Sequence, residues 1–129
     1  MSGDDQIPLP VHSRLVQRVS LADAAAQLRA EPRGASTGPR KVALLRQGPV
    51  SVILFVFEQG AVLKEHKADG EVVIQTVTGR MAVTVAGSEV QLGPGDLLSL
   101  APGEVHSVSA IEASDMLLTL CRVPAAAKV

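Results

Sequence analysis

Aromatic residues are almost missing from this chain of 129 residues, which has two Phe and neither Trp nor Tyr. Proteins that hold bases or other flat rings usually stack them on aromatic side chains, so this scarcity argues against such a platform. One Cys and three His are too few for a Cys-rich zinc module. A formal net charge of −1, with 12 basic and 13 acidic residues, gives no attraction for polyanions, and we expect no nucleic-acid partner.

Long hydrophobic runs are also missing. The longest, Val50 to Phe57, has eight residues and is too short to span a bilayer. The first residues, Met1 to Gln6, contain neither the basic nor the apolar part of a signal peptide. We therefore expect no membrane association and a cytoplasmic location. Cys121 ends an apolar run and is predicted to be a small buried hydrophobe, not a reactive thiol.

The N-terminal part, residues 1–40, is predicted to hold an extended arm and one helix. Pro8 and Pro10 interrupt the arm, and its stretch from residue 7 to 11 resembles an edge strand that pairs with a partner. From Ser20 the sequence has a capping-box-like start, then a run of strong helix formers to Ala30, with Pro32 just beyond. We expect the helix to occupy this run.

Residues 41–123 show a different pattern, in which short runs rich in Val, Ile, Leu and Thr are interrupted by Gly, Pro or Asp. Such spacing predicts many short strands in a sandwich or closed barrel, and therefore an all-β domain. The remaining residues, 124–129, are predicted to be a frayed tail. The nine predicted strands are 41–46, 50–57, 61–65, 71–78, 81–86, 89–92, 97–100, 105–110 and 116–122.

Two spaced motifs surround two of the three His residues. The first has Gly60, His66 and Gly79, with five residues between the first pair; the second has Gly95, then Gly103 and His106. These intervals resemble the motifs G-x5-H-x-H-x(3,4)-E-x6-G and G-x5-P-x-G-x2-H-x3-N of the cupin superfamily. The resemblance implies a single RmlC-like jelly-roll β-barrel, preceded here by the short helix and the arm, and it implies a homodimer.

The resemblance also implies where a metal would bind. In metal-binding cupins the ligands are both His and the Glu of the first motif, together with the His of the second. Here His66 and His106 are present, but Ala68 and Val72 occupy the other two positions. Because a catalytic first-row metal needs about three protein ligands, we expect a metal-poor or metal-free site, although Fe, Mn, Ni or Zn stays open as a cofactor.

Glu71 is a candidate third ligand because it is adjacent to the family's Glu position. Side chains alternate between the faces of a strand, so Glu71 would reach the site only if a bulge after Gly70 changed the register. The same alternation predicts that Val72, Ile74 and Thr76 face the barrel interior, as an apolar wall with one hydroxyl. That wall suits a small, mostly aliphatic ligand with one or two polar atoms.

Several polar residues are predicted to lie at the surface. Glu104 is either solvated or placed at the barrel mouth, and His12 is expected to be exposed. The predicted outer, solvated face beside His66 consists of Lys64, Glu65 and Lys67.

Three functions are compatible with these residues. The first is a small-molecule-binding cupin, acting as a sensor, carrier or accessory subunit, with a site around His66 and His106. The second is a metal-dependent enzyme, dioxygenase-like or isomerase-like, that uses both His residues and a non-standard third ligand. The third is a structural or interaction domain without a site. The barrel fold by itself does not choose among them.

Overall fold

The computed structural model describes residues 16–32 and 37–122. Within them the chain forms one helix and then nine strands, as the composition of the short runs predicts. Each strand agrees with its predicted run to within two residues. The elements are α1 (Leu21–Ala30), β1 (Arg40–Gln47), β2 (Val50–Phe57), β3 (Val62–His66), β4 (Gly70–Thr78), β5 (Met81–Val85), β6 (Ser88–Leu92), β7 (Leu97–Leu100), β8 (His106–Ala110) and β9 (Ser114–Arg122).

The strands form two antiparallel sheets. The larger has the order β1-β2-β9-β4-β7, and the smaller has the order β3-β8-β5-β6. Neighbours in these orders are often distant in the chain, as expected when strands pass from one sheet to the other in a jelly roll. The predicted all-β barrel with one N-terminal helix is therefore confirmed.

Helix α1 begins where the capping pattern predicts. The Ser20 hydroxyl accepts a hydrogen bond from the backbone N–H of Asp23 at 3.2 Å, which satisfies one of the free donors of the first turn. Helix residues Ala25 and Leu28 are buried against β2, with Leu54 among their contacts, on the side of the larger sheet that faces away from the barrel interior. An ion pair between Arg29 and Asp115 also joins the helix to β9.

The main hydrophobic core lies between the two sheets. It includes both Phe residues of the chain, Phe55 and Phe57, so the few aromatic side chains are used for packing. Along β4 the burial alternates strictly: Val72, Ile74 and Thr76 are buried in the interior, as predicted, and the residues between them face outward. The interior is thus lined mainly by aliphatic groups.

The prediction for Cys121 is wrong, because this residue is exposed. The inward positions of β9 are Met116, Leu118 and Leu120, all of which contact the core. Cys121 follows at the opposite parity and close to the end of the strand, so its side chain points outward. The apolar neighbours of Cys121 in the sequence suggest burial, but the two-residue alternation of strand side chains decides which face Cys121 occupies.

Some predictions fall outside the described residues. His12, the arm from residue 7 to 11 and the tail at 124–129 are among them, so strand addition to a partner and the exposure of His12 stay predictions. In the described part of the chain, no helix has the length and apolar character needed to cross a membrane.

Substitution of Gly79 by Ala should strongly destabilise the barrel. Gly79 has a φ of +86°, and an added Cβ would collide with the side chain of Ser114 and the backbone of Ala113. Gly60 has a similar φ of +81° but open space around it. In urea unfolding we expect Gly60→Ala to cost about 1–2 kcal/mol, from the backbone strain alone.

Gly79→Ala should cost clearly more than the matched Gly60→Ala change, by about 2 kcal/mol, because it adds a steric clash to the same backbone strain. Equal losses of unfolding free energy in the two variants would show that the close approach of Gly79 to β9 does not matter for stability.

Candidate functional site

The site begins with an irregularity in β3. Leu63 pairs with Val108 and His66 pairs with His106, so two residues of β3 stand opposite a single residue of β8 between these pairs. Residues three apart in a regular strand point to opposite faces, and the extra residue of a bulge removes this difference. His66 therefore shares the inward face of Leu63, directly opposite His106.

The two imidazole rings are in contact. Their centroids are 4.2 Å apart, and the ring planes are tilted by 59°. His106 is 1% exposed, whereas His66 is half-buried. On its other side His106 pairs with Val85 of β5. The pair thus lies at the end of the smaller sheet where β3 ends and β8 begins, with one ring inside and one at the rim.

Backbone carbonyls determine the tautomer of each ring. The Nδ1 atom of His66 is 2.8 Å from the carbonyl oxygen of Lys64, and the Nδ1 atom of His106 is 3.0 Å from that of Glu104. Because a carbonyl oxygen can only accept, each Nδ1 must carry the proton and donate. In the neutral form of either ring, Nε2 then has a free lone pair.

His106 is held in its neutral form. Burial lowers its pKa below the ordinary 6.5, and the neighbouring charge of protonated His66 lowers it further, although the hydrogen bond to the Glu104 carbonyl raises it in part. At neutral pH, His106 is therefore an unprotonated base.

The free lone pair of His106 has no partner. Its Nε2 atom is buried and makes no hydrogen bond within the described structure. Buried polar atoms are nearly always paired, and leaving one unpaired costs about 1–3 kcal/mol. A donor from a bound molecule would remove that cost. The hydroxyl of Thr76 is also buried and has no hydrogen-bond partner within the described structure. It is not part of the same site, because Thr76 lies four residues along β4 from Val72, or about 13 Å at strand spacing.

The predicted lining residues are placed as follows. Val72 lies near the start of β4, which follows His66 after a short loop, and it packs in the core with Ile74. Ala68 is partly buried against the same core. The two motifs meet at this point, since the N–H of Gly103 donates to the carbonyl of Ala68 at 2.9 Å. Apolar side chains thus occupy the two positions that have lost a ligand.

The prediction that Glu71 could be a third ligand is not supported by its position. Glu71 is exposed on the outer face of β4, opposite Cys121 in the register. The bulge that would turn it inward does not occur at Gly70; the register of β4 with β9 shifts only later, between Thr76 and Thr78. Strand alternation therefore keeps this carboxylate away from the His pair.

The described residues do not fit a protein-built metal shell. Among them, no three His, Cys, Asp or Glu side chains are grouped closely enough to hold a metal ion. His66 and His106 supply two nitrogen ligands, and the two apolar replacements supply none. A site with three or four protein ligands, as the family resemblance implies for metal-binding members, is thus not formed by this part of the chain.

The exposed neighbours of the His pair border a separate cleft. Glu104 is exposed, as predicted, and it borders with Glu65 a cleft of about 360 Å³. Thr84, which faces outward on β5, and Val105 also line this cleft. Lys64 and Lys67 are exposed as well, which agrees with the predicted solvated face.

Comparison of the sequence with family models finds the Cupin domain over residues 53–121, more than half of the chain. The chain belongs to the cupin family. The matched part of this cupin contains both motifs, both site histidines and strands from β2 to β9. No curated protein matches the sequence.

Solved structures with the same fold are numerous. A cupin superfamily protein from Desulfitobacterium hafniense DCB-2 superposes with a TM-score of 0.68 at 20% identity, covering 84% of this chain and 93% of its own. An RmlC-like cupin from Shewanella frigidimarina NCIMB 400 superposes with a TM-score of 0.67 at 18% identity, covering 85% of this chain and 95% of its own. KdgF from Halomonas sp. superposes with a TM-score of 0.65 at 18% identity, covering 77% of this chain and 92% of its own. At these identities the likeness concerns the fold.

Two features of the site were not predicted from the sequence. The carbonyls of Lys64 and Glu104, each two residues before its His, determine the tautomers. Every residue has a backbone carbonyl, so the residue types at these positions do not predict this contact. The bulge in β3 leaves one sign in the sequence: Lys64 and Glu65 are consecutive charged residues, and a regular strand would turn one of them inward. Both features follow from the paired strands alone.

The stability of this cupin should fall as the pH is lowered through the range in which imidazole titrates. The pKa of His106 is lowered by folding, so the unfolded chain takes up a proton at higher pH than the folded protein does. Acid therefore favours unfolding, beginning near pH 6.5 and continuing until the folded His106 is itself protonated.

Urea unfolding between pH 8 and pH 5 measures this effect. His106→Asn should remove this component of the pH dependence, whereas His66→Asn should keep most of it, because burial of His106 remains. Parallel stability profiles for wild type and His106→Asn would contradict the assignment.

Proposed function

We propose that this cupin binds a small molecule at the end of the barrel where His66 and His106 meet. The unpaired Nε2 of His106 carries the proposal. It is a buried acceptor to which no described residue donates. It belongs to a ring whose pKa is lowered and whose tautomer is held by a carbonyl. A ligand with an N–H or O–H group satisfies it, and His66 at the rim contacts the same molecule.

The surroundings favour a mostly aliphatic ligand. Val85 and Val108 lie beside His106 on the smaller sheet, and Val72 and Ile74 add aliphatic side chains from β4, whereas the Thr76 hydroxyl lies near the other end of that strand. A short aliphatic chain with a terminal hydroxyl or amide has this chemistry. The protein would then act as a sensor, carrier or accessory subunit, and the hydrogen bond to His106 would orient its ligand.

A metal-dependent enzyme is the second candidate. It is favoured by one observation: both rings donate from Nδ1 to a carbonyl, which is the arrangement that orients histidines as Nε2 metal ligands. It is opposed by the lack of a third protein ligand in the described residues. A metal there would need ligands from outside that set, so we rank this function below simple binding.

Binding of short aliphatic alcohols and amides, such as 1-pentanol and valeramide, measured by ligand-observed NMR, tests the proposal. The protein should be purified without a His tag. For each alcohol or amide that binds the wild-type protein, we expect His106→Asn to weaken binding about tenfold, because one hydrogen bond to a buried acceptor is lost. Glu71→Gln, on the outer face of the same barrel, is the control and should bind as wild type does.

Metal analysis of the same samples separates the alternatives. Stoichiometric Fe, Mn, Ni or Zn that disappears in His106→Asn would replace the proposed function by the metal-dependent one. If His66→Asn and His106→Asn both leave probe binding, metal content and stability unchanged, the chain has no site at this pair and is a structural or interaction domain.

A further inference from the structure

A second cleft lies away from the His pair, between the edges of the two sheets. It has a volume of about 570 Å³, within the range of small-molecule sites. β1 is the edge strand of the larger sheet at this place, and β3 is the edge strand of the smaller one. The cleft is therefore a lateral opening between the layers of the barrel, bordered by Val62, Leu63 and Phe55.

The floor of this lateral cleft is apolar. Phe55 is only 5% exposed and belongs to the main core, and Leu63 packs against the same core. Val62, by contrast, is 46% exposed at the edge strand. An apolar group placed in the cleft would cover Val62 and contact the ring of Phe55, so hydrophobic burial favours occupation.

The mouth of the cleft carries two positive charges. Lys41 pairs with Phe55 across β1 and β2, and cross-strand partners share a face, so Lys41 stands on the barrel side of the edge strand. Lys64 borders the cleft from β3. Both are exposed, and neither forms an ion pair within the described structure. Their neighbour Arg40 is already paired with Glu58 at 3.3 Å.

The charge of the lateral cleft is therefore of one sign. None of the described residues that line it is acidic. The cleft beside the His pair has the opposite character, since Glu65 and Glu104 line it without any Lys or Arg. An anion is thus attracted to the lateral cleft and repelled from the other one.

We infer that the lateral cleft is a binding site for an anionic amphiphile, of which a medium-chain carboxylate is the simplest form. Its alkyl chain lies over Phe55 and Leu63, and its carboxylate lies between the ammonium groups of Lys41 and Lys64. This site is separate from the proposed function at His66 and His106, and either one can exist without the other.

Octanoate is the probe, with 1-octanol as its uncharged counterpart, and both are titrated into the full-length protein by calorimetry and ¹⁵N NMR. We expect octanoate to bind, to shift the amides of Val62 and Leu63, and to bind more weakly as salt is raised. The double change Lys41→Gln with Lys64→Gln should weaken octanoate about fivefold, as expected for two exposed ion pairs, and leave octanol unaffected.

Lys67→Gln is the matched control, because it removes the same charge from an exposed position that does not line the cleft. It should bind octanoate as wild type does, and so should His106→Asn, which separates this site from the other. Three results would overturn the inference: no octanoate shift at the amides of Val62 and Leu63, octanol shifting these two amides at the same concentrations as octanoate, or an unchanged octanoate affinity in the double variant. Self-association that octanoate does not disturb, with no shift at Val62, would assign the cleft to a second copy of the chain instead.

Discussion

The bulge in β3 is the constraint from which the site follows. Without it, His66 would point out of the barrel on the face of Lys64, Glu65 would point inward in its place, and His106 would face the core alone. With it, the two rings come into contact across β3 and β8. At the same place the Lys64 carbonyl lies within hydrogen-bond distance of the His66 ring, as the Glu104 carbonyl does for His106. One extra residue in an edge strand thus sets the orientation of the His66 imidazole, and the carbonyl two residues before it sets the tautomer.

Burial then gives the two similar residues different properties. His66, at the rim, is half in solvent, whereas His106 is enclosed and neutral, and its lone pair has no partner among residues 16–32 and 37–122. An unpaired buried acceptor lowers stability unless something donates to it. Retaining a histidine here, among aliphatic neighbours such as Val85 and Val108, therefore has a cost that ligand binding would offset. This cost is the physical reason for placing function at this end of the barrel.

Much of the fold could be predicted from the sequence, because it depends on local signals. The strands follow from the spacing of turn residues, the start of α1 follows from Ser20 and Asp23, and the inward face of β4 follows from alternation. Where the neighbouring sequence and the alternation of strand side chains predicted different faces for a residue, the alternation was correct. Cys121 lies in an apolar run but at the outward parity, and Glu71 is adjacent to the ligand position but one residue out of phase.

The rest could not be predicted because it depends on pairing between distant strands. The bulge exists only as a mismatch between β3 and β8, and the lateral cleft exists only because β1 and β3 are the edges of different sheets. Lys41 and Lys64 are unremarkable surface residues in the sequence. Their common position at one apolar opening appears when Lys41 is matched with Phe55 across β1 and β2.

The function proposed for the His pair depends on His106 presenting an unprotonated Nε2 inside the barrel at neutral pH. The most direct measurement is the ¹⁵N NMR spectrum of the histidine side chains at pH 7, with His106 assigned by its Asn variant. We expect a neutral ring in which Nδ1 carries the proton and Nε2 gives the signal of an unprotonated nitrogen. A doubly protonated His106, or a neutral ring with its proton on Nε2, would contradict it.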